Sequence, residues 1–297
     1  MNTINITRNG KVTDIQLTGS WNEMSKKQLL SVSGMWPDIR RCIDAFPAAI
    51  IYYRIRIMFV LASLSRWNIF SRKLNALMSI LPGKKEVREF SDPEKFIEKY
   101  EYLALLLDTT DFIFESPVLL TKNNFPVIKA GSYVLYGPAD EMMGMVQKEF
   151  IFADAVFAAW VESRDEKYLN ELVAILYRPK GKVDVLTKEY TGDQRCEFNN
   201  LSYDLWKSAV AKLPMKIRQA IALFYQGCRQ SWEVKYPNVF EKVEKSDIAH
   251  THQSWYDVMR ELPGEKFGTI SEREYVAIDT VLSELERTII ANKTQEK

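Results

Sequence analysis

Apolar residues recur at helical spacing along most of the chain, most regularly between residues 148 and 182. Those at 150–161 fall on one helical face. A polar run at 162–167 interrupts the period, which resumes at Tyr168. It stops at Pro179, because proline lacks a backbone N–H and disfavours helical geometry in the residue before it. The pattern predicts an αα-hairpin, two helices joined by a tight charged turn, whose apolar faces the rest of the chain must cover.

The first residues alternate between apolar and polar side chains, which is typical of β-strands. Asn9-Gly10 is a favoured two-residue turn, so the pattern predicts a β-hairpin over residues 2–17. The three-residue step from Val12 to Ile15 breaks strict alternation and leaves a bulge or a shifted register open. Because a lone hairpin is only marginally stable in water, this one is expected to pack against another element.

Helical periodicity and capping residues predict further helices in the remaining chain. They lie at 25–32, 38–80, 91–108, 201–213, 214–236, 255–262 and 271–289. Short apolar runs separated by Ser-Pro, Asn-Asn and Ala-Gly-Ser instead predict a small β insert near residues 112–136. The expected fold class is therefore mainly α, a helical bundle-like unit over residues 1–297. The polar stretch at 181–200 is the one candidate for an internal boundary.

The net charge of the chain is close to zero. Among 297 residues there are 40 Lys and Arg and 39 Asp and Glu, so bulk attraction to nucleic acid or anionic lipid is not expected. The most apolar window, 48–64, carries Arg54 and Arg56 near its middle, where each would cost about 2.5–3.5 kcal/mol in a bilayer. No membrane contact is therefore expected. The start of the chain lacks the features of a secretion signal, which predicts a cytoplasmic protein whose three widely spaced cysteines are free thiols.

Two stretches suggest alternative functions. Residues 54–73 interleave basic and aromatic side chains, a combination suited to binding nucleic acid, although a solvated helix face explains the same pattern. His250 and His252 form a His-x-His pair, which binds metal when carboxylates or cysteines converge on it. No cysteine pair with metal-ligand spacing accompanies them, so solvated loop histidines are expected and an enzyme site at 250–252 is a second alternative. Nucleotide-binding glycine motifs are absent from the sequence, and neither a cofactor nor a metal is expected.

Two pairs of acids have a spacing that acid–base catalysis or a divalent ion could use: Asp108 with Asp111, and Asp154 with Glu162. A chain with 39 acidic residues contains such pairs by chance, so solvated helix ends are expected at all four positions. Around Pro179, Arg178 and Lys180 are expected to neutralise carbonyl groups at a helix end, with contact to a partner as the alternative.

Six segments together resemble a loosely defined group of phage and prophage proteins. They are Tyr136-Gly137-Pro138-Ala139-Asp140, Glu149-Phe150-Ile151-Phe152-Ala153-Asp154, Leu172-Val173-Ala174-Ile175-Leu176-Tyr177-Arg178-Pro179, Ala222-Leu223-Phe224-Tyr225-Gln226-Gly227-Cys228-Arg229, Gly264-Glu265-Lys266-Phe267-Gly268, and the start at 21–29. Proteins of this group are commonest in bacteria of the Bacteroides type and are encoded among tail genes. The resemblance covers most of the chain, but every motif in it is structural.

The resemblance implies a non-enzymatic role in a tail module, such as a tail-assembly chaperone or an accessory tail protein, and it carries no catalytic residues. The implied partners are phage tail or other virion proteins, with a homo-oligomer as a further option. The implied location is the cytoplasm of the bacterial host, with retention in the virion left open. Trp160, Tyr177, Arg178 and Pro179, in the predicted αα-hairpin and at its end, are the candidate partner-contact residues.

Overall fold

A computed structural model divides the chain into two compact units, Met1–Val118 and Leu119–Lys297. The residues that the structure describes are 2–8, 10–45, 47–64, 72–81, 101–115, 117–182, 193–244, 255, 257, 272 and 274–295. In these residues the fold is mainly α with two small antiparallel hairpins, which confirms the predicted fold class. A single folded unit over 1–297 stays a prediction. So does a boundary at 181–200, of which 183–192 lies outside the described residues.

The first unit begins with the predicted β-hairpin. Strand β1 (Asn2–Arg8) pairs antiparallel with β2 (Lys11–Leu17) in a register that continues over the full length of both strands. Gly10 in the turn has a φ of 70°, a conformation that glycine adopts without strain. The bulge left open by the sequence does not occur in this register, because Val12 is exposed and Thr13 takes the half-buried position instead.

Six described helices complete the first unit. They are α1 (Lys26–Ser33), α2 (Trp36–Ala45), α3 (Pro47–Leu61), α4 (Arg72–Ile80), α5 (Glu101–Asp108) and α6 (Asp111–Phe114). Ser25 caps α1 as predicted, and the side chains of Ser25 and Gln28 cap each other's backbone N–H groups. The Gln28 amide also donates to the Thr18 hydroxyl and the Leu61 carbonyl, each over 2.9 Å. The Gln28 side chain, at the start of α1, thereby connects this helix to the end of the hairpin and to the end of α3.

The predicted β insert begins later than the sequence suggested. Residues 112–114 lie in α6, so the prediction of a β or irregular segment is wrong there; a run of three apolar residues does not distinguish strand from helix by periodicity. Arg54 forms an ion pair with Asp111 and lies over the Phe114 ring, 4.6 Å from its centroid. Asp111 is therefore paired, and the expectation of a solvated carboxylate is wrong at this position.

The second unit contains the other hairpin and six described helices. They are β3 (Val127–Ala130), β4 (Tyr133–Tyr136), α7 (Gln147–Ser163), α8 (Glu166–Leu176), α9 (Asp204–Val210), α10 (Met215–Lys235), α11 (Pro237–Glu244) and α12 (Ile278–Gln295). The αα-hairpin predicted at 148–182 is confirmed as α7 and α8. Arg164 ends α7 in the left-handed region with a φ of 57°, and the Asp165 side chain caps α8.

The interior of the second unit is rich in aromatic side chains. The Phe150 ring contacts Trp232 and Trp255 edge-on, and Phe240 contacts Trp255 in the same way. Phe240 belongs to α11, so this helix contributes to the aromatic interior. Among the described residues, no helix has both the length and the apolar character needed to cross a membrane.

Candidate functional site

Helix α7 carries two buried acids that organise the polar interior of the second unit. The first is Glu149, whose side chain is 1% exposed. Its Oε1 lies 2.8 Å from Nη1 of Arg178 and 2.5 Å from Nη1 of Arg195. A buried carboxylate is costly to desolvate unless it is paired and hydrogen-bonded, and here two guanidinium groups share it. We call these three residues, together with Asp193, the Glu149 cluster.

Asp193 completes the charge balance of the Glu149 cluster. It accepts from Nε and Nη2 of Arg195 over 2.8 and 2.6 Å, so two arginines face two carboxylates. Both arginines also donate to carbonyl groups at the C-terminal end of α8, over 2.9 Å from Arg178 and 2.8 Å from Arg195. This confirms the helix-end role predicted for Arg178. Burial by itself lowers the pKa of Arg195, but the carboxylates of Glu149 and Asp193 outweigh it and raise that pKa above its usual value.

Arg178 also connects the Glu149 cluster to the β3–β4 hairpin. Its backbone N–H donates to the Tyr136 carbonyl over 3.0 Å, and the Tyr136 N–H donates back over 2.7 Å. The side chain of Arg178 is thus held by Glu149 while its backbone is held by β4. Arg195, in the polar stretch at 181–200, is buried as well, although residues 193–200 form neither a helix nor a named strand.

The second buried acid on α7 is Asp154, also 1% exposed. Its Oδ1 accepts from Nε of Arg229 over 2.5 Å and from the Tyr225 hydroxyl over 3.2 Å, and its Oδ2 accepts from the Trp255 indole N–H over 2.7 Å. Burial, followed by the nearby Asp154 charge, raises the pKa of Tyr225 well above its ordinary value. The expectation of a solvated helix-end carboxylate is therefore wrong for Asp154, and it holds for Glu162, which is exposed.

We expect Asp154→Asn to destabilise the second unit by about 2 kcal/mol, because it leaves Arg229 without one of its carboxylates inside the unit. The measurement is the urea midpoint of unfolding, followed by tryptophan fluorescence. Asp108→Asn removes an exposed carboxylate and is the control. Equal midpoints for the two variants would contradict the prediction.

The structure places the four candidate partner-contact residues mostly inside the second unit. Tyr177 and Arg178 are buried, and the Tyr177 hydroxyl donates to the Phe125 carbonyl over 2.9 Å. Trp160 is buried beside Phe157, and Pro179 is half-buried. The contacts of Tyr177 and Arg178 are therefore made within the unit, and partner contact at these four positions stays a prediction.

Exposed apolar side chains lie elsewhere on the second unit. Leu201, in the turn before α9, is 79% exposed, and Leu205, in the first turn of α9, is 68% exposed. The Tyr133 hydroxyl donates to the Leu205 carbonyl over 3.2 Å, which places β4 next to this helix. Val127 and Val134 are exposed on the hairpin itself. We call Leu201, Leu205, Val127 and Val134 the apolar surface.

Of the two stretches behind the alternative functions, one lies wholly and the other partly outside the described residues. His250 and His252 lie outside the described residues, and so do residues 65–71 of the basic and aromatic stretch. Arg54, from the same stretch, is engaged by Asp111 within the first unit. In the part of the chain that the structure describes, no group of three or more His, Cys, Asp or Glu side chains is placed to hold a metal ion. The three cysteines are free thiols.

Comparison with known proteins adds no relative. None of the protein-family models, curated proteins or solved structures compared with the chain matches it.

The geometry of the second unit separates buried carboxylates from exposed apolar side chains. The carboxylates of Glu149 and Asp154 are engaged by partners inside the unit and act on its stability. The apolar surface and the hairpin that contributes to it face outward, where another molecule can bind.

Proposed function

We propose that the protein is a non-enzymatic tail assembly or accessory structural protein of a phage or prophage, acting through protein–protein contacts. The observation that carries the proposal is the apolar surface of the second unit. The resemblance of the chain to phage tail-module proteins supplies the kind of partner, a tail or other virion protein. We place this contact in the cytoplasm of the bacterial host, where the particle is assembled.

The apolar surface supports this proposal because it exposes four large apolar side chains on the two elements that the Tyr133–Leu205 hydrogen bond joins. Single exposed apolar side chains are normal on a soluble protein and need no explanation. Leu201, in the turn before α9, and Leu205, in its first turn, are four residues apart in sequence, and the Tyr133 hydroxyl of the hairpin donates to the Leu205 carbonyl. Grouped apolar side chains on a surface are typical of protein-binding sites, where burial by a partner removes them from water.

The test is co-purification with the products of the neighbouring genes, each co-expressed with the tagged full chain. We expect at least one of them to be retained at a defined stoichiometry. A purified protein that is a monodisperse monomer and retains no neighbouring product would overturn the proposal. Light scattering on the same sample distinguishes a bound partner from a homo-oligomer.

We expect the double variant Leu201→Glu and Leu205→Glu to reduce retention of the partner at least about tenfold, because two carboxylates would have to be desolvated at the contact. Val234→Glu is the matched control, since Val234 is 69% exposed but belongs to α10. The melting temperature of all variants should stay close to that of the wild type, because the sites are on the surface. If only the Val234→Glu control lost the partner, the contact would involve α10 and not the apolar surface.

A further inference from the structure

The backbone of β3 has an edge that β4 does not use. Opposed residues in an antiparallel pair alternate between those that exchange hydrogen bonds and those that do not. Tyr136 directs its N–H and C=O groups to Arg178, on the far side of β4, so its pair with Val127 is one that does not exchange bonds. The Gly137 N–H donates to the Pro126 carbonyl over 2.9 Å, as this register requires. Val127 and Lys129 therefore direct their own N–H and C=O groups away from β4.

The two residues that carry these outward groups are exposed. Val127 is 42% exposed and Lys129 is exposed as well. Throughout the described ranges, neither residue's backbone has a hydrogen-bond partner on that side. Burying four such groups without partners would cost about 1–3 kcal/mol each. The edge thus presents two donors and two acceptors at the spacing that an added β-strand matches.

The side chains beside this edge are apolar and basic. Alternation places Val127, Lys129, Val134 and Tyr136 on the outer face of the hairpin. Lys180 lies over the Tyr136 ring, with Nζ 5.9 Å from its centroid, and so adds a second ammonium group to that face. Among the described residues, neither Lys129 nor Lys180 forms an ion pair with a carboxylate. A strand bound here would meet one apolar side chain and two unneutralised cations.

We propose that the open edge of β3 binds an extended, acidic segment of another protein by strand addition. The segment would form main-chain hydrogen bonds with Val127 and Lys129, place an apolar side chain on Val127, and place a carboxylate near Lys129 and Lys180. This inference rests on the proposed function, since it names how the tail partner is held. Main-chain bonds supply the affinity, and charge and alternating side chains supply the selectivity.

A second copy of the same chain fits this edge poorly. Pairing β3 with its own copy about a two-fold axis, with Val127 opposite Lys129, makes the two Lys129 residues diagonal neighbours on one face, with their backbones about 7–8 Å apart. Lys180 from each copy would add to the repulsion. Lysine is a common protection of an edge strand against self-association, and the same lysine attracts an acidic strand.

The test uses the full chain and a fluorescently labelled seven-residue peptide of alternating glutamate and valine. A peptide of alternating lysine and valine is the control for charge. Fluorescence anisotropy should show that the acidic peptide binds at least about tenfold more tightly than the basic one at low salt. Raising the salt concentration should reduce this difference in affinity. Hydrogen exchange followed by mass spectrometry should show protection at 127–130 on binding. Equal binding of the two peptides, or no protection at 127–130, would overturn the proposal.

Two variants at Lys129 distinguish the contribution of its backbone N–H to binding from that of its side-chain charge. Lys129→Pro removes an outward N–H and should weaken binding of the acidic peptide about tenfold, while the hairpin persists because proline is tolerated at an edge position. Lys129→Gln keeps the N–H and should weaken binding only about two- to fivefold, since an exposed ion pair contributes little. Val234→Gln replaces a valine of α10 that is 69% exposed and lies outside both proposed binding surfaces, and it should leave binding unchanged. An unchanged affinity in Lys129→Pro, with its melting temperature also unchanged, would exclude strand addition.

The same variants applied to the native partner distinguish the two proposals. If the wild type retains a neighbouring gene product and Lys129→Pro retains it equally, strand addition is wrong and the proposed function stands. If the wild type retains no product, the proposed function fails and the peptide experiment alone decides the edge. Light scattering could also show a dimer that Lys129→Pro dissociates. In that case the edge of β3 binds a second copy of the chain, and the proposal that it binds an acidic segment of another protein is wrong.

Discussion

Replacing Glu149 by glutamine will destabilise the second unit by about 3–5 kcal/mol. The substitution keeps the shape of the side chain and removes its charge. Asp193 still balances Arg195, but Arg178, with a side chain that is 4% exposed, loses the carboxylate with which it forms an ion pair. Destabilisation should appear in the urea midpoint and as faster hydrogen exchange of the α8 amides.

Glu162→Gln is the matched control for this prediction. It makes the same chemical change on the same helix, at a position where the side chain is exposed. Surface substitutions of this kind usually change the free energy of unfolding by no more than about 0.5 kcal/mol. Similar midpoints for Glu149→Gln and Glu162→Gln would show that the Glu149 cluster does not stabilise the unit. Faster exchange confined to residues of the first unit would contradict the assignment of the effect to α7 and α8.

Local features of the fold were predictable because the residues that determine them are close in sequence. The turn at Asn9-Gly10, the cap at Ser25 and the end of α8 before Pro179 each depend on a few consecutive residues. Helical periodicity in α7, α8 and α10 is long enough to identify the element and its buried face. The run at 112–114 is too short for that, which is why it was assigned to the wrong kind of structure.

The buried clusters were not predictable, because their members come together only through tertiary packing. Glu149 is 29 residues from Arg178 and 46 from Arg195, and Asp154 is 75 residues from Arg229. Nothing local distinguishes Glu149 from the exposed Glu162 on the same helix. Asp154 does occupy the apolar face of the predicted helix, and this was the one available sign that it would be buried and in need of partners. Arg195 lay in a polar stretch without periodicity and had no such sign.

The Glu149 cluster also bears on the outer surface of the second unit. Arg178 occupies the free edge of β4 through its backbone while Glu149 holds its side chain. One edge of the two-stranded hairpin is therefore filled by a buried network, and the edge of β3 is left for another chain. A two-stranded sheet is marginal alone, and attachment to a rigid cluster gives a binding strand a fixed edge to meet. Glu149→Gln is accordingly expected to weaken partner binding only through the stability of the unit.

Replacing Gly227 by alanine will destabilise the second unit by about 3 kcal/mol. Alanine in a helix interior is normally favoured over glycine by about 0.8–1 kcal/mol, so helix propensity alone predicts the opposite sign. Here an added Cβ would lie 2.4 Å from the carbonyl oxygen of Leu120 and 2.6 Å from its backbone nitrogen. These are backbone atoms, which cannot move aside as a flexible side chain would. Helix α10 or the segment at Leu120 must therefore shift, at the expense of core packing.

Gln226→Ala tests the same helix without the close approach. Gln226 is half-buried and precedes Gly227, so this variant gains the helix propensity of alanine without placing an atom against Leu120. Thermal unfolding followed by circular dichroism should rank Gln226→Ala close to the wild type and Gly227→Ala well below it. A melting temperature for Gly227→Ala at or above that of the wild type would mean that propensity outweighs the contact. In that case α10 would approach Leu120 less closely than it does in the structure, and packing would not explain the glycine at position 227.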